Sequence, residues 1–263
     1  MASKKIYLSV VIPAYNEEKT VASGVLEGVY EYLAKQKYGW EMVLVNDGSS
    51  DDTLAALRKF AKGKGGVRVM NEPHRGKAGT VIAGMLASKG EIALFTDMDQ
   101  STPIDQVEKV LPKFKAGADV VIGSRTGRKG APVVRKLMAY GFSVLRAVVL
   151  GLPYADTQCG FKAFSRSSVD DIFGRMQLFN KAKRVEGALT TAGFDIELLF
   201  IARKLKLKVA PVEVEWHFEE GAVGKNPVKE SISGLRDMIK IRLNDLSGKY
   251  GAGTQNSNVS VKA

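Results

Sequence analysis

Nine short segments alternating between strand-like and helix-like patterning dominate the first half of this chain. Residues 6–13, 41–47, 66–71, 91–97 and 119–123 are rich in β-branched and apolar residues. Residues 19–36, 51–61, 77–87 and 103–115 space their apolar residues as helices do. Strand, helix, strand at this spacing predicts an α/β fold, a mostly parallel sheet with helices on both faces. Right-handed crossovers gather the strand C-terminal ends along one edge. Ligands of such sheets bind in the crevice at that edge.

The polar motifs fall at those ends. Pro13-Ala14-Tyr15-Asn16-Glu17 follows the first strand, Asn46-Asp47-Gly48-Ser49-Ser50-Asp51 the second, and Asp97-Met98-Asp99 the fourth. Carboxylates at i and i+2 of a strand share a face. An all-oxygen pair suits Mg²⁺ or Mn²⁺, which divide their coordination between one or two carboxylates and substrate phosphates. Gly48 permits an unusual turn angle, and Asp51 or Ser50 can cap the helix that follows. Asp47 is not needed as a cap and reads as an acceptor for a bound base or ribose. Arg75-Gly76-Lys77 at a helix N-terminus suits an anion, or is simply a solvated turn. The neighbouring His74 is assigned no role.

The second half is less regular. A long apolar helix is expected over 133–150, a loop and short strand over 156–164, a helix over 194–205 and an alternating strand over 208–216. An amphipathic helix is expected over 228–246, with Val228, Ile232, Leu235, Ile239, Leu243 and Leu246 on one stripe. This divides the chain into a catalytic domain at 1–227, a helix at 228–247 packed on the domain or on a membrane, and a disordered tail at 248–263. The chain carries a net charge of +11 but no acid between residues 120 and 155. That stretch reads either as a surface for anionic lipid or as a core helix with solvated flanks. A nucleic-acid role is disfavoured, because Tyr140 and Phe142 lie inside the apolar helix rather than among cations on a binding face. The single cysteine, Cys159, excludes an intrachain disulfide and fits a reducing compartment. It reads as a packing residue. The longest apolar stretch, 137–152, is interrupted by Arg146 and falls short of the ~20 residues a spanning helix needs. A peripheral protein at the cytoplasmic face of a membrane is therefore expected, with no transmembrane segment.

In order along the chain stand Val11-Ile12-Pro13-Ala14-Tyr15-Asn16-Glu17, Val45-Asn46-Asp47-Gly48-Ser49-Ser50-Asp51, Asp97-Met98-Asp99 and Ile122-Gly123-Ser124-Arg125. Asp156-Thr157-Gln158-Cys159-Gly160-Phe161-Lys162 and Gly193-Phe194-Asp195-Ile196-Glu197-Leu198 follow. This set resembles glycosyltransferase family 2, and within it the polyprenyl- and dolichyl-phosphate glycosyltransferases. The Asp156–Lys162 string and Arg135 with Tyr140-Gly141-Phe142 are most similar to the dolichyl-phosphate β-glucosyltransferase branch. The resemblance implies a GT-A fold in a metal-dependent, inverting hexosyltransferase. Pro13, Tyr15, Glu17, Asp47, Lys77 and Asp97 would then bind the nucleotide sugar, UDP-glucose or a similar donor. Asp99, with Asp97, would hold Mg²⁺ or Mn²⁺. Arg125, Arg135, Gln158 and Lys162 would meet donor or acceptor phosphate, and Asp156 would lie near sugar and acceptor. Two strings depart from the family pattern, Asp97-Met98-Asp99-Gln100 and Gly224-Lys225-Asn226.

The acceptor class decides the chemistry required. A phosphate monoester, with a second pKa of about 6, is largely ionised at neutral pH and needs positioning more than deprotonation. A hydroxyl of a soluble glycan or protein, the alternative acceptor, needs a carboxylate base, and Asp156 is the candidate. A sugar-phosphate nucleotidyltransferase is disfavoured, because Ala14-Tyr15-Asn16-Glu17-Glu18 stands where its basic glycine-rich loop would be.

Overall fold

The structure, a computed structural model, describes residues 5–125, 133–179, 192–217 and 227–251, without the side chains of 133–140, 192 and 227–231. Five strands appear where the alternation places them: β1 (Ile6–Ala14), β2 (Gly39–Asp47), β3 (Val67–Glu72), β4 (Ile92–Phe95) and β5 (Val120–Arg125). Between them run α1 (Glu18–Ala22), α2 (Val25–Ala34), α3 (Thr53–Ala61), α4 (Gly76–Ala87) and α5 (Val107–Lys115). The single helix expected over 19–36 is two helices. Gly24 sits at φ 84°, a left-handed conformation that ends one helix and starts the next.

Then come α6 (Val133–Leu150), β6 (Lys162–Ser165), α7 (Arg166–Phe173), α8 (Ala192–Lys204), β7 (Val209–Val214) and α9 (Pro227–Leu246). Helix α7 was not anticipated from the sequence. Its signals are Ser165, whose Oγ accepts the Ser168 N–H at 3.3 Å, and Val169, Ile172 and Phe173 on one buried face.

The described strands form one sheet in the order β3-β2-β1-β4-β6-β5-β7, and only β6 runs against the rest. Its direction follows from where the chain enters it. Lys162 pairs with Phe95 at the crevice end of β4, and Ser165 with Ile92 at the other end. The preceding loop, 151–161, is thereby set into the crevice edge. Side chains alternate along β1. Leu8, Val10 and Ile12 pack with Leu26, Leu33, Leu57 and Val107 of the helices on one face. Val11 packs with Ala78, Val81 and Met85 of α4 on the other. Both faces are buried, which is why these strands read as nearly unbroken apolar runs.

The C-terminal region corrects one expectation, the start of the disordered tail. Order continues past residue 248: Tyr250 is fully buried, rests on Phe200 and donates to Glu197 Oε1 at 2.6 Å. Residues 252–263 lie outside the described residues. Helix α9 packs on α6 and α8, but through Met238 and Ile241. Of the expected stripe, Ile232, Leu235, Ile239, Leu243 and Leu246 are all exposed, and the Val228 side chain lies outside the described residues. Among the described residues no helix is long and apolar enough to cross a membrane.

Candidate active site

The loops after β1 and β2 are laced together by short polar side chains. Asn16, at φ 54°, donates its N–H to Ser49 Oγ at 3.0 Å, and its Oδ1 accepts the Ser50 N–H at 2.9 Å. Glu17 donates its N–H to Thr53 Oγ1 at 2.7 Å. Asp51 performs the expected structural task, accepting the Thr53 N–H at 3.1 Å and its hydroxyl at 2.5 Å. These bonds fix where Tyr15 and Glu17 leave the sheet. Pro13 lies inside β1, in register with Val45.

Asp47 differs from its expected role as a direct acceptor for the donor. It is 1% exposed, and both carboxylate oxygens meet protein groups. Oδ1 accepts the Arg75 N–H at 2.8 Å, and Oδ2 lies 2.9 Å from His74 Nδ1. Gly48, at φ 62°, makes room for this turn, since a side chain there would meet the His74 backbone. The His74 ring in turn stacks on Tyr15, centroids 4.1 Å apart and planes 10° from parallel. His74, given no role by the sequence reading, is thus the link between a buried carboxylate and an aromatic wall of the crevice. No local pattern marks it, because Tyr15 and Asp47 reach it from other strands.

Asp97 and Asp99 stand at the end of β4, both half-buried. Lys77 from α4 donates to Asp97 Oδ1, and the Ser101 N–H holds Asp99 Oδ1 at 2.9 Å. Desolvation by neighbouring protein atoms works against the charge of the partly exposed Lys77, but Asp97, Asp195 and Asp99 hold its pKa above the ordinary lysine value. Burial, reinforced by Asp99, Asp51 and Asp97, raises the Glu17 carboxyl above its usual range, although its bond from Thr20 pulls the other way. Three acids, Glu17, Asp97 and Asp99, therefore share one field. Among the described residues no three His, Cys, Asp or Glu side chains form a complete metal cage. A set of one or two carboxylates at an open polar edge fits Mg²⁺ or Mn²⁺, whose remaining ligands are phosphate oxygens and water.

Lys162 corrects another expectation. Its side chain is fully buried, donating to Asp195 Oδ1 at 2.7 Å and to the Cys159 carbonyl, with the ammonium 5.5 Å from the Phe95 ring centre, so it does not face a phosphate. Burial raises Asp195 above the usual carboxylate range, against the pull of Lys162 and Lys77. Gly160 lies against the Asp97 carboxylate. A Cβ there would overlap the Asp97 carboxylate. Burial also raises the Cys159 thiol, which suits packing rather than nucleophilic attack.

Across the crevice, Arg125 and Asp156 form a two-pronged pair, Nε to Oδ2 at 2.7 Å and a terminal guanidinium nitrogen to Oδ1 at 2.9 Å. The Gln158 N–H adds a bond to Oδ1 at 3.0 Å. Burial opposes ionisation of Asp156, but Arg125 prevails and holds its pKa down at about 2. A polar cavity lies between this pair and the β4 end, lined by Asp97, Thr102, Arg125, Gln158, Gly160 and Trp216. The Arg125 guanidinium sits 5.6 Å from the Trp216 ring centre. The Arg135 side chain and 224–226 lie outside the described residues.

The model of glycosyl transferase family 2 matches residues 9–173, which hold every motif just described except Asp195 and Trp216. This chain belongs to glycosyl transferase family 2. Being a family 2 glycosyltransferase, it is 33% identical over 260 residues to dolichyl-phosphate beta-glucosyltransferase ALG5D of Trichomonas vaginalis, covering 91% of this chain and 75% of that one. It is 31% identical over 262 residues to the dolichyl-phosphate beta-glucosyltransferase of Homo sapiens, covering 92% and 77%. Among solved structures, glucosyl-3-phosphoglycerate synthase from Mycobacterium tuberculosis, crystallised with Mn²⁺, uridine diphosphate and glucosyl-3-phosphoglycerate, superposes with a TM-score of 0.60 at 20% identity. That match covers 90% of this chain and 80% of the other, and shows the shared GT-A fold.

Proposed function

We propose that this glycosyltransferase moves glucose, with inversion, from UDP-glucose or a similar nucleotide sugar to a polyprenyl or dolichyl phosphate. The observation that carries the acceptor class is the Arg125–Asp156 pair. A carboxylate held at about pKa 2 by a two-pronged guanidinium is a poor proton acceptor at neutral pH. Asp156, the acid expected to serve a hydroxyl acceptor, is committed to orienting a cation. A phosphate acceptor, already ionised, needs that cation and no base. The names of the similar enzymes, dolichyl-phosphate beta-glucosyltransferases, support the same reading.

In this reading the Tyr15–His74 stack is the wall for the donor's base, and Asp47 orients His74. Lys77 keeps Asp97 directed at the donor. Asp99, with Asp97, would hold Mg²⁺ or Mn²⁺, which when bound neutralises charge developing on the departing diphosphate. Arg125 and Gln158 position the acceptor phosphate. One of its oxygens attacks the anomeric carbon from the face opposite the leaving group, giving the β linkage from an α-linked donor. In this reading the reaction takes place at the cytoplasmic face of a membrane, where a polyprenyl phosphate acceptor would be met.

The test is transfer of radiolabelled glucose from UDP-glucose to polyprenyl phosphate with Mn²⁺. Asp99→Ala is expected to lower kcat/KM by about a hundredfold or more, and EDTA to abolish transfer. Unimpaired transfer in either case sinks the metal site. Transfer to free hydroxyl acceptors but not to the lipid phosphate sinks the acceptor class.

A further inference from the structure

Helix α9 wears its apolar stripe on the outside. Ile232, Leu235, Ile239, Leu243 and Leu246 recur at helical spacing on one face, and Leu246 is 72% exposed and Ile232 63% exposed. The inward face is carried by Met238 and Ile241, both fully buried. At 100° per residue, Arg236 flanks the exposed stripe on one side and Arg242 on the other, and both are exposed. The acids of this part of the helix turn the other way. Asp245 binds Lys204 of α8 and also pairs with the rim cation Arg242 at 3.1 Å, and Asp237 lies against Gly193 at the start of α8. Helix α6 adds a second outward face through Val144, Leu145 and Val148, the last 78% exposed. The two helices are seated on each other where the Phe142 ring meets Gly234. A Cβ at 234 would lie 2.7 Å from Phe142 Cζ.

We infer that the outward faces of α6 and α9 dock this protein on a bilayer bearing anionic headgroups. An apolar stripe with cations along both rims and acids turned inward is the charge pattern of a helix lying in a lipid interface. A symmetric second copy fits it poorly, because pairing the stripe with itself brings like-charged rims together. Docking also sets the height of the site. From the inner side of α6, Arg146 donates to Thr157 Oγ1 at 3.0 Å and to the Tyr154 carbonyl, the residues that bracket Asp156. The segment positioning Arg125 is thus tied to the helix resting on the lipid. This inference deepens the lipid-phosphate reading by naming the surface that brings the enzyme to its acceptor.

Flotation with phosphatidylcholine vesicles, with and without about a quarter phosphatidylglycerol, reads docking directly. Glucose transfer to a short, water-soluble isoprenyl phosphate in vesicle-free buffer reads the acceptor chemistry separately. The wild type is expected to float, more strongly with the anionic vesicles. Ile239→Ser with Leu243→Ser is expected to reduce vesicle partition at least about tenfold. Arg236→Gln with Arg242→Gln is expected to cost about fivefold per arginine on anionic vesicles only. Both pairs should keep the wild-type Tm and turnover on the soluble acceptor. If the apolar pair does not fold, Leu246→Ser alone is expected to weaken flotation. A wild type that stays at the bottom of the gradient, or variants that float like it, overturns the inference. So does an apolar pair that converts a dimer to monomer in sedimentation while flotation is unchanged. Flotation without turnover on either phosphate acceptor supports the docking face and rejects the lipid-phosphate reading. Turnover on the soluble acceptor without flotation does the reverse.

Discussion

A carboxylate that accepts a two-pronged guanidinium and the backbone N–H groups of Arg125 and Gln158 gives up most of its affinity for a proton. Asp156 is in that position. Its string stood out in the sequence as a candidate site, because an acid, an amide and a cation surround one glycine. Which of them faced the substrate was not legible. Lys162 went to Asp195 of α8 and Asp156 to Arg125 of β5, choices made by elements distant in sequence. Asp156→Asn is therefore expected to leave kcat on a phosphate acceptor within about tenfold. Acceptor KM should rise about tenfold or more, the loss of one charge-assisted hydrogen-bond pair. Steady-state kinetics that vary the acceptor check this. A loss of several orders of magnitude in kcat would restore Asp156 as a base. The pair also fixes a pH dependence. Because the folded pKa of Asp156 is depressed, its contribution to stability is complete above about pH 4 and is lost as pH falls toward about 2.

At the scale of elements, the periodic ones were legible because their apolar spacing is set by burial on a known face. β1 through β5 and the helices between them follow that rule. The exceptions have local causes. Gly24 breaks a helix that periodicity alone would run on, and β6 reverses because its entry point lies at the crevice edge. That reversal is what brings Gly160 over Asp97. Gly160→Ala should displace the Asp97 carboxylate and little else. The expected outcome is a Tm within a few degrees of wild type and kcat/KM lower by about a hundredfold, the order seen when one preorganised polar group is lost. A thermal melt paired with a transfer assay checks both halves. An active Gly160→Ala would show that Asp97 needs no such support.

For the molecule as a whole, the described C-terminal turn is tied back to the core by one buried acid. Glu197 on α8 accepts the Gln177 and Leu178 N–H groups and the Tyr250 hydroxyl. Burial outweighs these bonds and pushes its pKa up to about 7, so the fold prefers it protonated below that pH. The raised pKa makes its contribution to stability complete below about pH 4.5 and lost as pH rises toward about 7. The amount is up to about 3 kcal/mol. Urea unfolding across that window should show wild type losing stability with rising pH, and Glu197→Gln losing much less. Equal slopes would place the carboxyl's titration elsewhere.

Local patterning by itself determined the α/β class, the gathering of polar motifs at the strand ends and the family to which the chain belongs. Each of these depends on residue types at short, fixed spacings. Tertiary structure alone decided which polar groups pair, that His74 joins Tyr15 to Asp47, and that the α9 stripe faces outward. Pairing is a contest among groups brought together from separate strands. Which side of an amphipathic helix is covered depends on its neighbours: Met238 and Ile241 found α6 and α8, and the longer stripe did not.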